Sequence, residues 1–149
     1  MRRAVEVARA GEWPCDLSAG RVTLGWDDRH RRRVRLATDD GEAFLLDLAE
    51  AVVLRGGDGL RLDGGGWLEV CAADEPLVEA RAGDPAGLAR LAWHLGNRHV
   101  PAEVIGGALR FRDDPVIVDM IAGLGARIAR VRAPFTPEGG AYSARHDHG

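Results

Sequence analysis

Residues 76–133 read PLVEARAGDPAGLARLAWHLGNRHVPAEVIGGALRFRDDPVIVDMIAGLGARIARVRA, and this stretch decides the fold. Leu77 to Arg81 alternates apolar and polar residues and predicts a strand. Asp84-Pro85 then supplies an N-cap followed by proline at the first helical position, so a helix begins there. Leu88, Leu91, Ala92 and Leu95 fall at i, i+3, i+4 and i+7 and form its apolar stripe. Gly96 and Asn97 suit a left-handed helix end, which stops the helix just before His99. Val100 to Ile105, the Gly106-Gly107 turn and Ala108 to Arg112 read as a hairpin. Asp114-Pro115 repeats the cap-and-proline signal for a second helix carrying Val116, Met120, Ile121 and Leu124 and closed by Gly125. A last strand from Arg127 to Ala133 completes the order β-α-β-β-α-β, the ferredoxin-like arrangement.

Upstream of this stretch the pattern is different. Short alternating segments are punctuated by Gly, Pro and Asp, which predicts an all-β unit. The clearest strand is Arg31 to Thr38, where arginines occupy one face and Val34 and Leu36 the other. Asp39-Asp40-Gly41 turns it into a partner strand from Glu42 to Leu48. Further strands are expected at Val5 to Ala10, Arg21 to Trp26, Ala51 to Leu54, Leu60 to Leu62 and Trp67 to Ala72, with Gly64-Gly65-Gly66 as the last hairpin loop. The expected organisation is therefore α+β in two domains. An N-terminal β domain spans residues 1–73, a ferredoxin-like domain residues 74–134, and a flexible tail residues 135–149, the last rich in Gly and poor in apolar residues.

Composition narrows the function. The chain has 149 residues, 46% hydrophobic and 29% charged, enough to form one or two small cores without disulfide staples. All 20 basic residues are arginine and lysine is absent, which excludes a P-loop lysine, a pyridoxal Schiff base and a lysine nucleophile. A net charge of −3 offers no overall attraction to nucleic acid or to an anionic membrane. Cys15 and Cys71 are far apart and form no CxxC pair, so a reducing cytoplasm is the expected setting. No apolar stretch reaches the roughly 20 residues of a membrane span, and Met1-Arg2-Arg3-Ala4-Val5-Glu6 has no apolar signal core.

The histidines carry the only chemistry with a pattern. His146-Asp147-His148 places two imidazoles and a carboxylate near the C-terminus, where an HxH spacing can converge on one divalent ion. His99 occupies the corner between the first helix and the next strand, where a short loop can present its ring outward. One histidine makes only one bond to a metal, so a site at His99 needs ligands from the tail, from a second subunit, or from both. His94 reads as a packing residue beside the apolar stripe, and His30 as a solvated member of the charged Asp27 to Arg33 run. Arg29, Arg31, Arg32, Arg33 and Arg35 form a basic strand suited to docking an acidic partner, or to pairing with the nearby Asp27, Asp28, Asp39 and Asp40. Phe111 is the only aromatic residue in Ala108 to Arg112, too few for an RNA-stacking surface. HExxH, GxSxG and dinucleotide-loop patterns are all missing, so no enzyme is expected.

Leu91-Ala92-Trp93-His94-Leu95-Gly96-Asn97-Arg98-His99-Val100-Pro101 closely resembles the signature of the UreE family of urease accessory nickel metallochaperones. The likeness extends to Pro134-Phe135-Thr136-Pro137-Glu138-Gly139-Gly140-Ala141-Tyr142 and to Arg31-Arg32-Arg33-Val34-Arg35-Leu36. It implies a partner-docking N-terminal domain, a ferredoxin-like domain that dimerises, and Ni(II) held at the dimer interface. His99 would be the interface ligand from each subunit, with His146 and His148 as tail ligands. It further implies a homodimer that hands Ni(II) to an accessory GTPase and the apo-urease maturation complex, with no nucleic-acid or membrane partner. Zn(II) or Cu(II) can occupy the same imidazoles. The region of Asp113, Asp114 and Pro115 lacks the extra histidines of some relatives, so no secondary metal site is expected there. The competing reading is a protein-interaction adaptor in which His99 is structural.

Overall fold

The structure, a computed structural model, describes residues 1–139. The chain divides into two compact units, one covering Met1–Ala73 and the other beginning at Asp74.

The first unit is a six-stranded mixed sheet. Its strands are β1 (Arg2–Ala8), β2 (Ser18–Leu24), β3 (His30–Ala37), β4 (Ala43–Val53), β5 (Gly59–Leu62) and β6 (Trp67–Ala72), in the order β2-β6-β5-β1-β4-β3. β1 runs parallel to β4 and β2 parallel to β6, while the hairpins β3–β4 and β5–β6 are antiparallel. Alternation places Ala4, Val22, Phe44, Leu46, Leu60, Leu62, Leu68 and Val70 on one face, where they are fully buried with their neighbours in a single core. The sheet curls so that its two edges meet at one point. The Asp39 backbone N–H donates to the Arg21 carbonyl at 2.8 Å, and the Asp39 carboxylate accepts from Thr23 N–H and Oγ1.

Two expectations for this unit are corrected. β1 begins at Arg2 rather than Val5, because Ala4 is buried opposite Leu46 while Arg3 and Arg2 reach Asp47 and Glu42 at 2.8 and 3.0 Å. The separate strands expected at Glu42–Leu48 and Ala51–Leu54 are one strand of 11 residues. The polar Ala49-Glu50 stretch between them is absorbed as a bulge, since Arg31 pairs with Val52 but Arg33 with Asp47. Gly59 is irreplaceable here for steric reasons: a Cβ would run into the Trp13 indole, which lies over it, stacks on Trp67 at 5.7 Å and donates to the Gly57 carbonyl.

The second unit has the expected ferredoxin-like order: β7 (Asp74–Arg81), α1 (Pro85–Asn97), β8 (Glu103–Ile105), β9 (Ala108–Arg112), α2 (Pro115–Gly123) and β10 (Arg127–Pro134). The sheet order is β10-β7-β9-β8, antiparallel throughout. Val78, Ala80, Leu109 and Phe111 face the helices and pack with Leu91, Leu95, Ile117 and Ile121. Both helices start on aspartate caps, Asp84 accepting from Gly87 N–H and Asp114 from Val116 N–H. The buried residues of the helices are fewer than the apolar pattern suggests. Ala92 and Val116 are exposed, and the stripes narrow to Leu91/Leu95 and Ile117/Ile121. β8 is also shorter than expected, starting at Glu103 rather than Val100.

The end of β10, the start of β7, the end of β9 and the start of β8 all lie at one end of this sheet, as the registers Pro134–Asp74, Leu77–Arg112 and Glu103–Arg110 require. The chain leaving β10 then crosses the sheet at that end. Phe135 is fully buried with the Arg112 guanidinium 5.9 Å above its ring, and Pro137 is buried as well. Thr136 N–H donates to Glu103 at 3.5 Å, and Glu138 N–H donates to the Ala102 carbonyl at 2.8 Å. The segment expected to be a free tail from residue 135 is therefore held through Glu138. His146 and His148 lie outside the described residues.

Candidate metal site

His99 is placed by the end of α1. The Arg98 cap has φ −97° and ψ 7°, after which His99 takes φ +58°, the only non-glycine residue with positive φ among the described residues. His99 N–H donates to the Gly96 carbonyl and Val100 N–H to the Leu95 carbonyl, both at 3.0 Å. These two bonds make a Schellman motif, with Val100 tucked against the core next to Leu95 as that motif requires. The left-handed residue is thus His99 and not Gly96 or Asn97. The apolar contact explains the shift: Val100 can reach the core only if the chain reverses one residue earlier, and that residue is a histidine.

The consequence is chemical as well as geometric. A left-handed residue at a helix end projects away from the helix, and the His99 side chain is exposed. Among the described residues none hydrogen-bonds its imidazole. A non-glycine residue in this conformation carries strain of about 1–2 kcal/mol, less for histidine than for β-branched residues. Such strain is characteristic of positions kept for function.

Six residues back, on α1, Trp93 is 63% exposed, and its indole meets the His94 ring edge-on at 5.0 Å. His94 is half-buried by this contact, in keeping with a packing role. Trp93 lies off the Leu91/Leu95 stripe, and an indole outside the buried stripe of an amphipathic helix is the one sequence signal that marks this exposed surface.

Among the described residues no three His, Cys, Asp or Glu side chains come together in a way that could hold a metal ion. His99 stands alone within that part of the chain. Cys15 is exposed and Cys71 half-buried, and burial pushes the Cys71 thiol upward, which keeps it protonated and a poor ligand.

Carboxylates near β7 and β9 are committed to arginines. Glu79 accepts from Arg110 and Arg81 at 2.9 and 3.0 Å, and the Arg110 hydrogen bond holds its carboxyl below the usual range. In the first unit the basic strand divides. Arg29 is fully buried, its guanidinium 5.4 Å over Trp26, and so does not belong to the surface. Arg32 reaches the Leu48 carbonyl, and Arg31 pairs with Asp28 at 3.6 Å. Arg33 and Arg35 form no ion pair among the described residues, and they remain as the cationic face. The nearby Asp47 is taken by Arg3, whose hydrogen bond depresses its carboxyl.

Fold and site together define a two-domain α+β protein in which a ferredoxin-like unit presents one imidazole on a strained turn. The model of the UreE urease accessory protein N-terminal domain matches residues 4–73, and that of the C-terminal domain residues 75–149. The urease accessory protein UreE of Bradyrhizobium sp. is 53% identical over 150 residues, covering 100% of this chain and 71% of that protein. That of Rhodopseudomonas palustris is 52% identical over 147 residues, covering 99% and 68%. That of Ruegeria pomeroyi is 45% identical over 144 residues, covering 97% and 93%. The chain belongs to the UreE family of urease accessory proteins. It is accordingly an accessory protein and not an enzyme.

Proposed function

We propose that the chain is a homodimeric nickel chaperone of urease maturation. Ni(II) is its cargo, bound by His99 from each of two subunits and by His146 or His148 of the tail, then passed to an accessory GTPase and the apo-urease complex in the cytoplasm. The observation that carries this reading is His99 itself: an exposed imidazole held at φ +58° on a helix end, in a chain of the UreE family. One imidazole is one ligand, so the set has to be completed from elsewhere. A second copy and the tail are the sources the sequence offers. The exposed Trp93, on the helix that leads into His99, favours a second copy packing against that end of the unit.

A site assembled from shared and mobile ligands suits delivery. It closes when Ni(II) bridges two subunits and opens when the GTPase offers a better ligand set. Imidazole nitrogen suits Ni(II) but also Zn(II) and Cu(II), so those ions compete for the same residues and availability decides among them. Within this reading residues 1–73 dock partners, residues 74–134 dimerise and hold the metal, and residues 135–149 supply the tail ligands.

Ni(II) titration calorimetry of the wild type and His99→Ala, with light scattering on the same samples, tests it. About one ion per two chains, lost in a variant that remains dimeric, supports the chaperone. Equal binding by both would make His99 structural and favour an adaptor that works only through protein contacts.

A further inference from the structure

β10 carries three arginines, and only two of them are matched by an acceptor. Ile128 packs into the core under the helices, so Arg130 and Arg132 point to that side of the sheet. There Arg130 pairs with Asp113 at 3.1 Å and Arg132 donates to the Asp74 carbonyl at 3.5 Å. Arg127 points to the opposite, helix-free side, is exposed, and forms no ion pair among the described residues. Its register partner on β7 is Arg81, whose neighbour Ala80 faces the helices, so both arginines stand on the helix-free face on adjacent strands. Residues paired in this way have Cβ atoms about 5 Å apart, and like charges there repel.

The carboxylate beside the pair is already shared. Glu79 accepts from Arg81 Nε at 3.0 Å through one oxygen and from Arg110 Nε at 2.9 Å through the other. Glu103, further along the face, stands opposite Arg110 on β8, two strand spacings or about 10 Å from β7. The unmatched positive charge therefore sits at the Arg81–Arg127 corner. Access to that corner is open: Ala108 lies opposite Arg81 on β9, and the Gly106-Gly107 turn adjoins it. A Cβ built on Gly106 would meet nothing within 4 Å, and one built on Gly107 would meet only the Arg81 guanidinium, at 4.0 Å.

We propose that this corner docks an acidic segment of a partner polypeptide, one carboxylate of which accepts from both guanidinium groups. The planar guanidinium fork suits a carboxylate, and a shared anion turns the repulsion of the free chain into attraction in the complex. A nucleic acid fits the face less well. Phe111, the aromatic residue of β7–β10, faces the helices and offers no ring for base stacking, and the net charge of −3 opposes a long polyanion. The corner lies within residues 74–134, which the chaperone reading assigns to dimerisation and metal, so this docking surface goes beyond that reading.

The test is an NMR titration of the isotope-labelled full chain, without Ni(II), with a hexaglutamate peptide. Wild type is compared with Arg127→Glu and with Arg90→Glu, a control of equal net charge on an exposed position of α1. The amide signals of Arg81, Ala108 and Arg127 should shift together, and high ionic strength should weaken binding. Arg127→Glu exchanges an attraction for a repulsion and should weaken the peptide about five- to twentyfold, against less than about twofold for Arg90→Glu. Arg127→Glu also sets a carboxylate opposite Arg81, so its Tm at low salt should rise, which shows that the variant folds. Shifts confined to residues 1–73, unchanged affinity in Arg127→Glu, equal losses in both variants, or a lowered Tm would each overturn the proposal. Tighter binding of an oligothymidylate at the same residues would make the face a nucleic-acid surface and overturn it too. Any of these failures leaves His99 and the Ni(II) reading standing, and a failure of the Ni(II) calorimetry leaves this face standing.

Discussion

Replacing His99 with glycine should make the apoprotein more stable while abolishing tight Ni(II) binding. The imidazole is exposed and makes no hydrogen bond among the described residues, and the bonds of the helix end run through backbone atoms, so the substitution removes no hydrogen bond of that end. At φ +58° glycine releases about 1–2 kcal/mol of strain, from which its greater freedom in the unfolded chain subtracts roughly 0.5–1 kcal/mol. The net gain is about 0.5–1 kcal/mol, or roughly 1–4 °C in Tm for a chain of this size. His99→Ala is the control: it loses the same ligand but keeps a Cβ in the left-handed conformation, so it should not gain stability. Thermal melts of the three proteins with chelator, repeated with excess Ni(II), provide the assay. In wild type the ion should raise Tm by the mass-action term, and in both variants that rise should shrink together. A glycine variant no more stable than the alanine one would refute the idea that His99 sits on a strained turn at the expense of stability.

Asp84→Ala removes the cap of the helix that leads into His99 and should cost about 1 kcal/mol in urea unfolding, without changing Ni(II) stoichiometry. Glu6, Asp47 and Glu79 are each held below their ordinary range by a hydrogen bond from arginine: Arg61, Arg3 and Arg110 respectively. Their contribution is therefore complete above the unfolded values near pH 4 and is lost as pH falls through the lower folded values. Melts between about pH 7 and pH 2 should show that the gap between wild type and Glu79→Gln narrows in acid; a constant gap would contradict this assignment. Arg33→Glu with Arg35→Glu should abolish pull-down by the accessory GTPase or the apo-urease complex and leave Ni(II) binding intact, if the cationic Arg33/Arg35 face of β3 is a docking surface. Unaltered pull-down would remove that face from consideration.

The sheet and helix order was legible because short-range signals are strong in this chain. Asp84-Pro85 and Asp114-Pro115 start both helices where expected, and the Asp39-Asp40-Gly41 turn sets the β3–β4 hairpin. Errors occurred where a local cue competed with a longer-range one. Gly96 and Asn97 are better left-handed residues than histidine, but burial of Val100 against the core moved the reversal to His99. Ala49-Glu50 looks like a break, yet pairing with β3 on both sides carries the strand through it. The Phe135 to Glu138 segment was unreadable for the same reason: Pro134 to Glu138 has the composition of a tail, and only a sheet built from residues 74–134 gives Phe135 a place to bury, beneath Arg112.

By itself the sequence determined the class of the fold, the starts of both helices, and the exclusion of lysine-dependent chemistry. Each depends on residue types and spacings within a turn or two of chain, the range over which capping, periodicity and side-chain inventory act. Only the tertiary structure decided that Arg29 is buried, that His99 takes the left-handed turn, and that the chain after β10 returns to within three residues of it at Ala102. Those outcomes depend on which distant surfaces meet. They are settled by the burial of Val100, Phe135 and Pro137 against partners that local spacing does not specify.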